Sequence, residues 1–566
     1  MKRLPAALLL FGAFLQPTTA RPAVPEACSG DNGTPDRVIT GSFAKELQGS
    51  YVLVPFDMPS GATRVRVKIC YDQPSPTISI PGVVTLRNTL DLGIYQPRPA
   101  GDAFFDENEF RGWGGSSRPN VLITPEASTT VGFLPGPIRA GEWAAEIGVA
   151  AVTGATEANP SGLVNWRLEI FNDAVASDLD APWEPAPYDE TPANPNAGWY
   201  SGDVHVHAEH SSPNDATMVE TFDYGFDQAG LDFITLSDYV TSRHWGEIGR
   251  LQANYPGHLI IRSAEVITYR GHINNHATHR YVDYRTGAIY VRAEDGSLTK
   301  VRNAQPASRI FNDILSAKNA DGSQRGWTQV NHPTIFPSQV PAFSNFCRGC
   351  SWSYSDAETD WSKVDAFEVQ TGPAGTAAPE GDELGPNPFT VLAVAWYDHL
   401  RAMGYDITAV ASSDSHKAGQ ISPIGGLPLA LNAPVGEGTT VVYAPELSES
   451  GIRDGILAGH AYVKFFGPDG PDLRFTASAG GPEVMMGDEL AASRATFTAS
   501  VLNAKPSKQR RTLLVLLNGI PIFARPVIGD HLTVTLSGLA PGDYRLQLMR
   551  GSGFEAMSNP ITLVAP

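Results

Sequence analysis

A central α/β barrel flanked by two β-sandwiches is the fold this chain predicts, and three observations predict it. From residue 198 to about 466, strand-like runs alternate with helix-like ones. On either side, at about 35–172 and about 470–566, apolar and polar residues alternate with the period of two that marks half-buried strands. All of the 13 histidines except His460 and His531 fall between His205 and His416, several of them where a strand gives way to a loop. With 566 residues there is chain enough for several cores. The blocks fall at 1–20 (leader), 21–172 (first sandwich), 173–197 (linker), 198–466 (barrel) and 467–566 (second sandwich).

Residues 1–20 open with Lys2 and Arg3, continue through an apolar run at 6–15 and close on Thr18-Thr19-Ala20, which reads as a cleavable secretory signal. No later apolar run approaches the roughly 20 residues that span a bilayer. An exported protein, periplasmic or secreted and without a transmembrane segment, is the expectation. In the first sandwich, Tyr51-Val-Leu-Val-Pro-Phe56, Thr63-Arg-Val-Arg-Val-Lys-Ile69 and Trp166-Arg-Leu-Glu-Ile170 are its clearest strands. Cys28 and Cys70 lie in this block and, in an oxidising compartment, are expected to pair. For Cys347 and Cys350, a lone Cys-x-x-Cys favours a local disulfide over zinc. The Pro- and Asp/Glu-rich linker carries little periodicity.

In the central block, Met218, Phe222, Phe226 and Ala229 share one face of a helix expected over 215–229, with Gly230 as its stop. A buried strand follows at 231–236. The unit recurs as a helix over 391–403, Gly404, and a strand over 405–410. Repeated βα units imply a parallel sheet or barrel with its chemistry at the C-terminal ends of the strands. In the last block, Asn518-Gly519 signals a hairpin.

A net charge of −19 with no basic cluster makes nucleic acid an improbable partner. What the strand ends do carry, in order, is His205-Val206-His207, Asp238-Tyr239, Glu265, His272, Asn331-His332-Pro333 and Asp414-Ser415-His416. Residues i and i+2 of a strand point to one side, so His205 and His207 can converge on one ion. Imidazole and carboxylate together suit zinc, manganese or iron(II).

The ordered set Gly202-Asp-Val-His-Val-His207, Gly230-Leu-Asp-Phe-Ile-Thr-Leu-Ser-Asp238, Glu265 with Gly271-His272, Asn331-His-Pro333, Phe367-Glu-Val369 and Ser413-Asp-Ser-His416 resembles the PHP (polymerase and histidinol phosphatase) metallohydrolases, and among them the CehA/McbA branch. The resemblance spans about 198–465. It implies a distorted (β/α)7 barrel that binds two or three divalent ions and hydrolyses a phosphoester, or in this branch a carboxylic or carbamate ester or an amide. It implies His205, His207, Glu265 and Asp414 around one ion, Glu265, His272 and His332 around a second, and Asp215, residue 239 and His416 around a third. Here the sequence departs from the pattern: Ser237-Asp238-Tyr239 stands where the family has Thr-Asp-His, and a neutral phenol is a poor ligand. Asp215 reads equally as a helix N-cap.

Two ions sharing Glu265 imply attack by a bridging hydroxide, with His416 or His332 protonating the leaving group and Tyr239 touching the substrate or a bound water. The substrate is then a small-molecule phosphoester, or an ester on the same site. His210 and His244 read as surface or substrate-contact groups, His258, His276, His279 and His399 as structural ones, and Glu368 equally as an outer-layer or core-edge carboxylate. Arg270 and Lys417 read as partners of nearby carboxylates. A catalytically weakened binding or structural protein is the alternative that Tyr239 keeps open. A sugar-recognising surface protein using Trp113, Trp143 and Trp166 is a further one, although tryptophans in sandwiches are usually core.

Overall fold

A computed structural model of the chain describes residues 24–30, 33–73, 87–99, 105, 108–155, 159–175, 182–239, 241–278, 280–292, 298–337, 348–370, 387–423 and 430–566. The expected leader at 1–20, His279 and Cys347 lie outside these residues. Among them no helix is long and apolar enough to cross a membrane.

The first block folds as two sheets. One has the order Arg37–Phe43, Val164–Asp173, Arg64–Tyr71, Asn120–Ile123; the other has Ser50–Met58, Gly141–Ala151, Thr89–Tyr95, Phe110–Gly115. Their inner faces close over a core that includes Phe56, Val67, Leu92, Trp143 and Leu168. Trp113, Trp143 and Trp166 are all buried, which removes them as a sugar-binding surface. Cys28 and Cys70 are joined, closing a loop with a sequence separation of 42. The second sheet does not end within its own block. Arg285–Arg292 and Leu298–Ala304, from the middle of the chain, form a hairpin whose second strand pairs antiparallel with Ser50–Met58, Lys300 opposite Leu53.

In the central block Gly198–Val206, Phe233–Leu236 and Leu259–Ile267 run parallel, as do Trp327–Val330, Ala366–Gln370 and Thr408–Ala411. The sheet is mixed rather than parallel throughout. His272–His276 is antiparallel to both neighbours, because only a tight turn at 268–271 separates it from the preceding strand and so short a link cannot cross over to parallel. After Thr408–Ala411 the chain returns to the first strand of the block: Val206 bridges Ser415, the His207 N–H donates to the Ser415 carbonyl at 2.9 Å, and the Asp414 N–H donates to the His205 carbonyl at 2.9 Å. The helix expected from Asp215 starts at Met218 instead. Thr217 is its N-cap, in a capping box with Glu220, and after Phe222 it widens into a π-helical turn at Asp223–Gln228. The later helix runs Pro388–Ala402.

Ala461–Lys464 pairs with Gly553–Ser558, so the central sheet continues into the C-terminal block. A second sheet there, built on Asp472–Ser478, Ala495–Leu502 and Leu532–Leu539, packs over a core containing Phe475, Phe497, Val515 and Leu546. Asn518 and Gly519 both have positive φ, 50° and 78°, and turn the hairpin as their sequence predicts. Asn559 ties this block to the central one: its side chain accepts from the Ala409 N–H at 2.7 Å and donates to the Ala409 and Ala461 carbonyls.

Candidate metal centre

Glu265, on strand Leu259–Ile267, lies at the middle of the histidine cluster. Its Oε1 is 3.4 Å from His205 Nε2, 3.1 Å from His272 Nδ1 and 3.2 Å from His332 Nε2, and its Oε2 is 3.5 Å from His207 Nε2. Asp414 Oδ1 is 3.4 Å from His205 Nε2 and 3.0 Å from His207 Nε2, while the two Nε2 atoms themselves are 3.0 Å apart. Two nitrogens each about 2.1 Å from one ion lie about 3.0–3.4 Å from each other, so these spacings suit a shared cation. The chain therefore brings His205, His207, Glu265 and Asp414 together, and His272 and His332 beside them on the other side of the same carboxylate.

The rear face of each ring explains its orientation. His205 Nδ1 faces Glu368 Oε1 at 3.4 Å, His207 Nδ1 faces Ser211 Oγ at 3.1 Å, His272 Nε2 faces the Arg348 carbonyl at 3.2 Å, and His332 Nδ1 faces the Cys350 carbonyl at 2.8 Å. An oxygen behind each ring holds the N–H there and so frees the front nitrogen to offer its lone pair to a cation. Four front nitrogens thus face one carboxylate. Glu368 is wholly buried; besides His205 it accepts from Ser412 Oγ and the His332 N–H, which makes it an outer-layer group. His332 and Asp414 both sit in the left-handed region, at φ 28° and 50°. Such non-glycine residues cost about 1–3 kcal/mol each and collect at functional sites.

The electrostatics point the same way. Among the described residues, the ion pairs of Glu265, Glu368, Asp414 and Asp215 are all with histidines. Burial opposes charge on His332, yet its bond to Glu265 and the charges of Asp414 and Glu368 lift its pKa to about 9. His205 is likewise raised well above the ordinary range, with burial outweighed by Asp414, Glu265 and Glu368. Burial and the neighbouring His416 hold His207 down to about 4. Burial also resists charge on Glu265, but His205 and His272 keep it ionised. The cluster attracts positive charge, and a divalent cation fits its donor set.

Asp215, Tyr239 and His416 form the third corner. His416 Nδ1 is 2.9 Å from Asp215 Oδ2, and its Nε2 is 3.1 Å from the Tyr239 hydroxyl. With Nδ1–H given to the carboxylate, Nε2 accepts from the phenol. Burial and then the charges of Asp215, Glu265 and Asp414 raise the Tyr239 pKa far above its usual value, so the phenol stays neutral. Asp238, a candidate ligand by its place at a strand end, stands one layer out, accepting from the Ala208 N–H at 2.7 Å and Ser211 Oγ at 2.6 Å. His210 and His244 are buried, contrary to their reading as surface or substrate groups. His244 Nε2 is fixed 2.7 Å from the Ser263 carbonyl, and His210 lies between Asp238 and Glu247. Burial drives His244 down to about 3. His276 is structural, between Ser263 Oγ and Gln329. Arg270 pairs with the Glu358 carboxylate as expected, whereas Lys417 donates to a backbone carbonyl, that of Asn214, in place of the carboxylate expected for it. The Cys350 sulfur lies near His272 and His332, but it is in a disulfide and offers no thiolate.

Sequence reasoning missed the Ser211 hydroxyl and the Arg348 and Cys350 carbonyls. Backbone oxygens leave no signature in a sequence, and Ser211 is one serine of many.

The side chains of His205, His207, Glu265 and His332 are at most 2 % exposed, whereas Asp414 and His416 are 24 % and 23 % exposed, so the cluster opens on that side. What these residues define is a buried centre of imidazoles and carboxylates able to hold divalent metal. No protein-family model matches the chain, and no curated protein matches it. Among solved structures, a two-domain protein from Bacteroides vulgatus containing a predicted PHP-like metal-dependent phosphoesterase aligns with 67% of this chain and 100% of that one, at 14% identity and a TM-score of 0.31. Likeness at that level establishes neither fold nor activity.

Proposed function

We propose that the protein is an exported, metal-dependent phosphoester hydrolase of the PHP type, in the CehA/McbA branch, with its central sheet a distorted (β/α)7 barrel. The observation that carries the metal reading is the four imidazoles anchored from behind with their front nitrogens turned on Glu265. The ordered motifs supply the family and the phosphoester. His205, His207, Glu265 and Asp414 would hold one ion, and Glu265, His272 and His332 the other. Zinc, manganese or iron(II) bound there supplies Lewis acidity and a nucleophile at neutral pH.

The chain's own groups do the rest. Substrate approaches past Asp414 and His416, the exposed edge. Burial opposes charge on His416, but the bond to Asp215 and its charge raise the ring's pKa, so that when both nitrogens are protonated Asp215 keeps the Nδ1–H and the Nε2–H is the proton passed to the leaving oxygen. Tyr239, neutral and bonded to that same nitrogen, orients substrate rather than binding metal. Glu368 and Ser211 keep His205 and His207 in the tautomer that leaves their front nitrogens unprotonated.

Elemental analysis of the purified protein, followed by a panel of nitrophenyl phosphate, phosphodiester, acetate and carbamate, tests this. About two ions per chain and turnover of a phosphate are expected. Metal content no higher than in a His205→Ala/Asp414→Ala double mutant sinks the metal reading. Turnover confined to acetate or carbamate moves the same site to ester hydrolysis.

A further inference from the structure

The loop after His207 is held from the first domain. Arg118 reaches across the seam and donates to three successive backbone carbonyls, those of Glu209, His210 (3.2 Å) and Ser211 (2.8 Å). It is buried, and its guanidinium hydrogens are directed at these main-chain oxygens. Gly132 leaves room for this approach: a Cβ at 132 would stand 2.7 Å from the His210 carbonyl.

The held segment includes Ser211. Its hydroxyl sits 3.1 Å from His207 Nδ1 and donates to Asp238 at 2.6 Å, so the place of Ser211 sets the direction of the His207 ring. Burial works against the charge of Arg118, the nearby carboxylates of Asp238, Asp215 and Glu209 offset this from a distance, and the direct contacts of the guanidinium go to the loop's carbonyls. A planar fork with five N–H donors can bridge consecutive carbonyls, and an ammonium cannot match it.

We propose that Arg118 is a positioning residue of the candidate metal centre, acting from the first β-domain on the 209–211 loop to aim His207 at the ion. It follows that this β-domain is part of the centre's supporting layer rather than an appendage. The inference rests on the metal reading above.

The test is a Co²⁺ titration of the purified, metal-free, full-length protein, read by visible absorption, with melting temperature measured alongside. Arg118→Lys and Arg118→Ala are compared with Arg243→Met. Arg243 crosses the same seam in the other direction, from the central block to the Ala127, Thr129, Thr130 and Phe133 carbonyls, and the remaining partner of its guanidinium, Glu247, meets the held loop at the His210 ring and not at Ser211. Both Arg118 variants are expected to weaken Co²⁺ binding by about 10–100-fold, the scale of a lost outer-layer contact, and to shift the absorption band. Arg243→Met should keep the wild-type band and affinity. If Arg118→Ala fails to fold, Arg118→Lys decides, because it retains the charge. Wild-type affinity and spectrum in Arg118→Lys overturn the proposal, as does an equal loss in Arg243→Met, which would reduce Arg118 to general docking. A wild type that binds no Co²⁺ overturns the metal reading itself, a result distinct from either.

Discussion

At the seam with the first domain, Arg285 and Arg302 face Glu146 and Asp283: Arg285–Glu146 at 2.5 Å, Arg285–Asp283 at 3.1 Å and Arg302–Asp283 at 2.6 Å. Tyr51, Tyr95, Trp113 and Tyr284 surround the Arg285 guanidinium. At the strand ends, the ion pairs of Glu265, Glu368, Asp414 and Asp215 are, among the described residues, with imidazoles alone. Both clusters are buried and both bring carboxylates out of water, which is tolerable only with compensating charge. The first carries that charge permanently, on side chains that stay protonated at any physiological pH. The second takes it from titratable rings or an exchangeable ion. A protein that only needed a rigid core had arginine at hand for this, and it used arginine at the seam.

The largest test of that difference is Glu265→Gln. An amide cannot neutralise two ions, so hydrolysis should fall by more than about 10³-fold, about 4 kcal/mol of barrier, with the circular dichroism unchanged. Activity within about tenfold of wild type would remove Glu265 from the centre. At the seam, Arg285→Met strands buried carboxylates and should cost about 3–5 kcal/mol in denaturant unfolding, while leaving the metal stoichiometry of folded protein intact. Loss of metal in that variant would show that the two clusters are not independent.

Adding Mn²⁺ or Zn²⁺ to metal-free protein at about a hundred times its dissociation constant should stabilise it by about 2.7 kcal/mol, reversed by a chelator and seen equally in Arg285→Met. Tyr239→Phe should keep two ions but lower turnover by about 10–100-fold. Tyr239→His should raise the stoichiometry toward three, and three ions already in wild type, with the phenol as tyrosinate, would reverse the reading of that substitution.

The effect that is smallest at neutral pH, and grows only in acid, is that of a single buried ring. Burial holds His276 down to about 3, below its ordinary 6.5, so the unfolded chain takes up the proton first. The stability tied to this ring is complete above about pH 6.5 and is lost as pH falls toward 3. His276→Gln should flatten that limb by about 1.4 kcal/mol per pH unit, and an unchanged slope would mean the ring is protonated in the fold.

The front of the centre was legible because its signal is local. His205 and His207 lie two apart at the end of one strand, and Asp414 and His416 lie just past the end of another. Its back was not, since His272 and His332 lean on main-chain oxygens at 348 and 350 and Arg118 arrives from another block. The flanking β-blocks showed in their alternation, and the Asn518-Gly519 turn in its own dipeptide. The antiparallel placement of His272–His276 has no signature in periodicity, which carries no direction. Asp215 was balanced between ligand and cap until Thr217 proved to be the cap.

The hairpin at 285–304 has a consequence for how the chain comes together as it is made. The strand Ser50–Met58 has Gly141–Ala151 on one side and receives Leu298–Ala304 on the other. A ribosome must therefore deliver about half of the polypeptide before the first sandwich acquires its last neighbour. A fragment cut at 197, the natural place to divide the chain by composition, leaves that strand as an open edge, the kind that recruits other chains. It is expected to aggregate unless a 285–304 peptide is supplied to it.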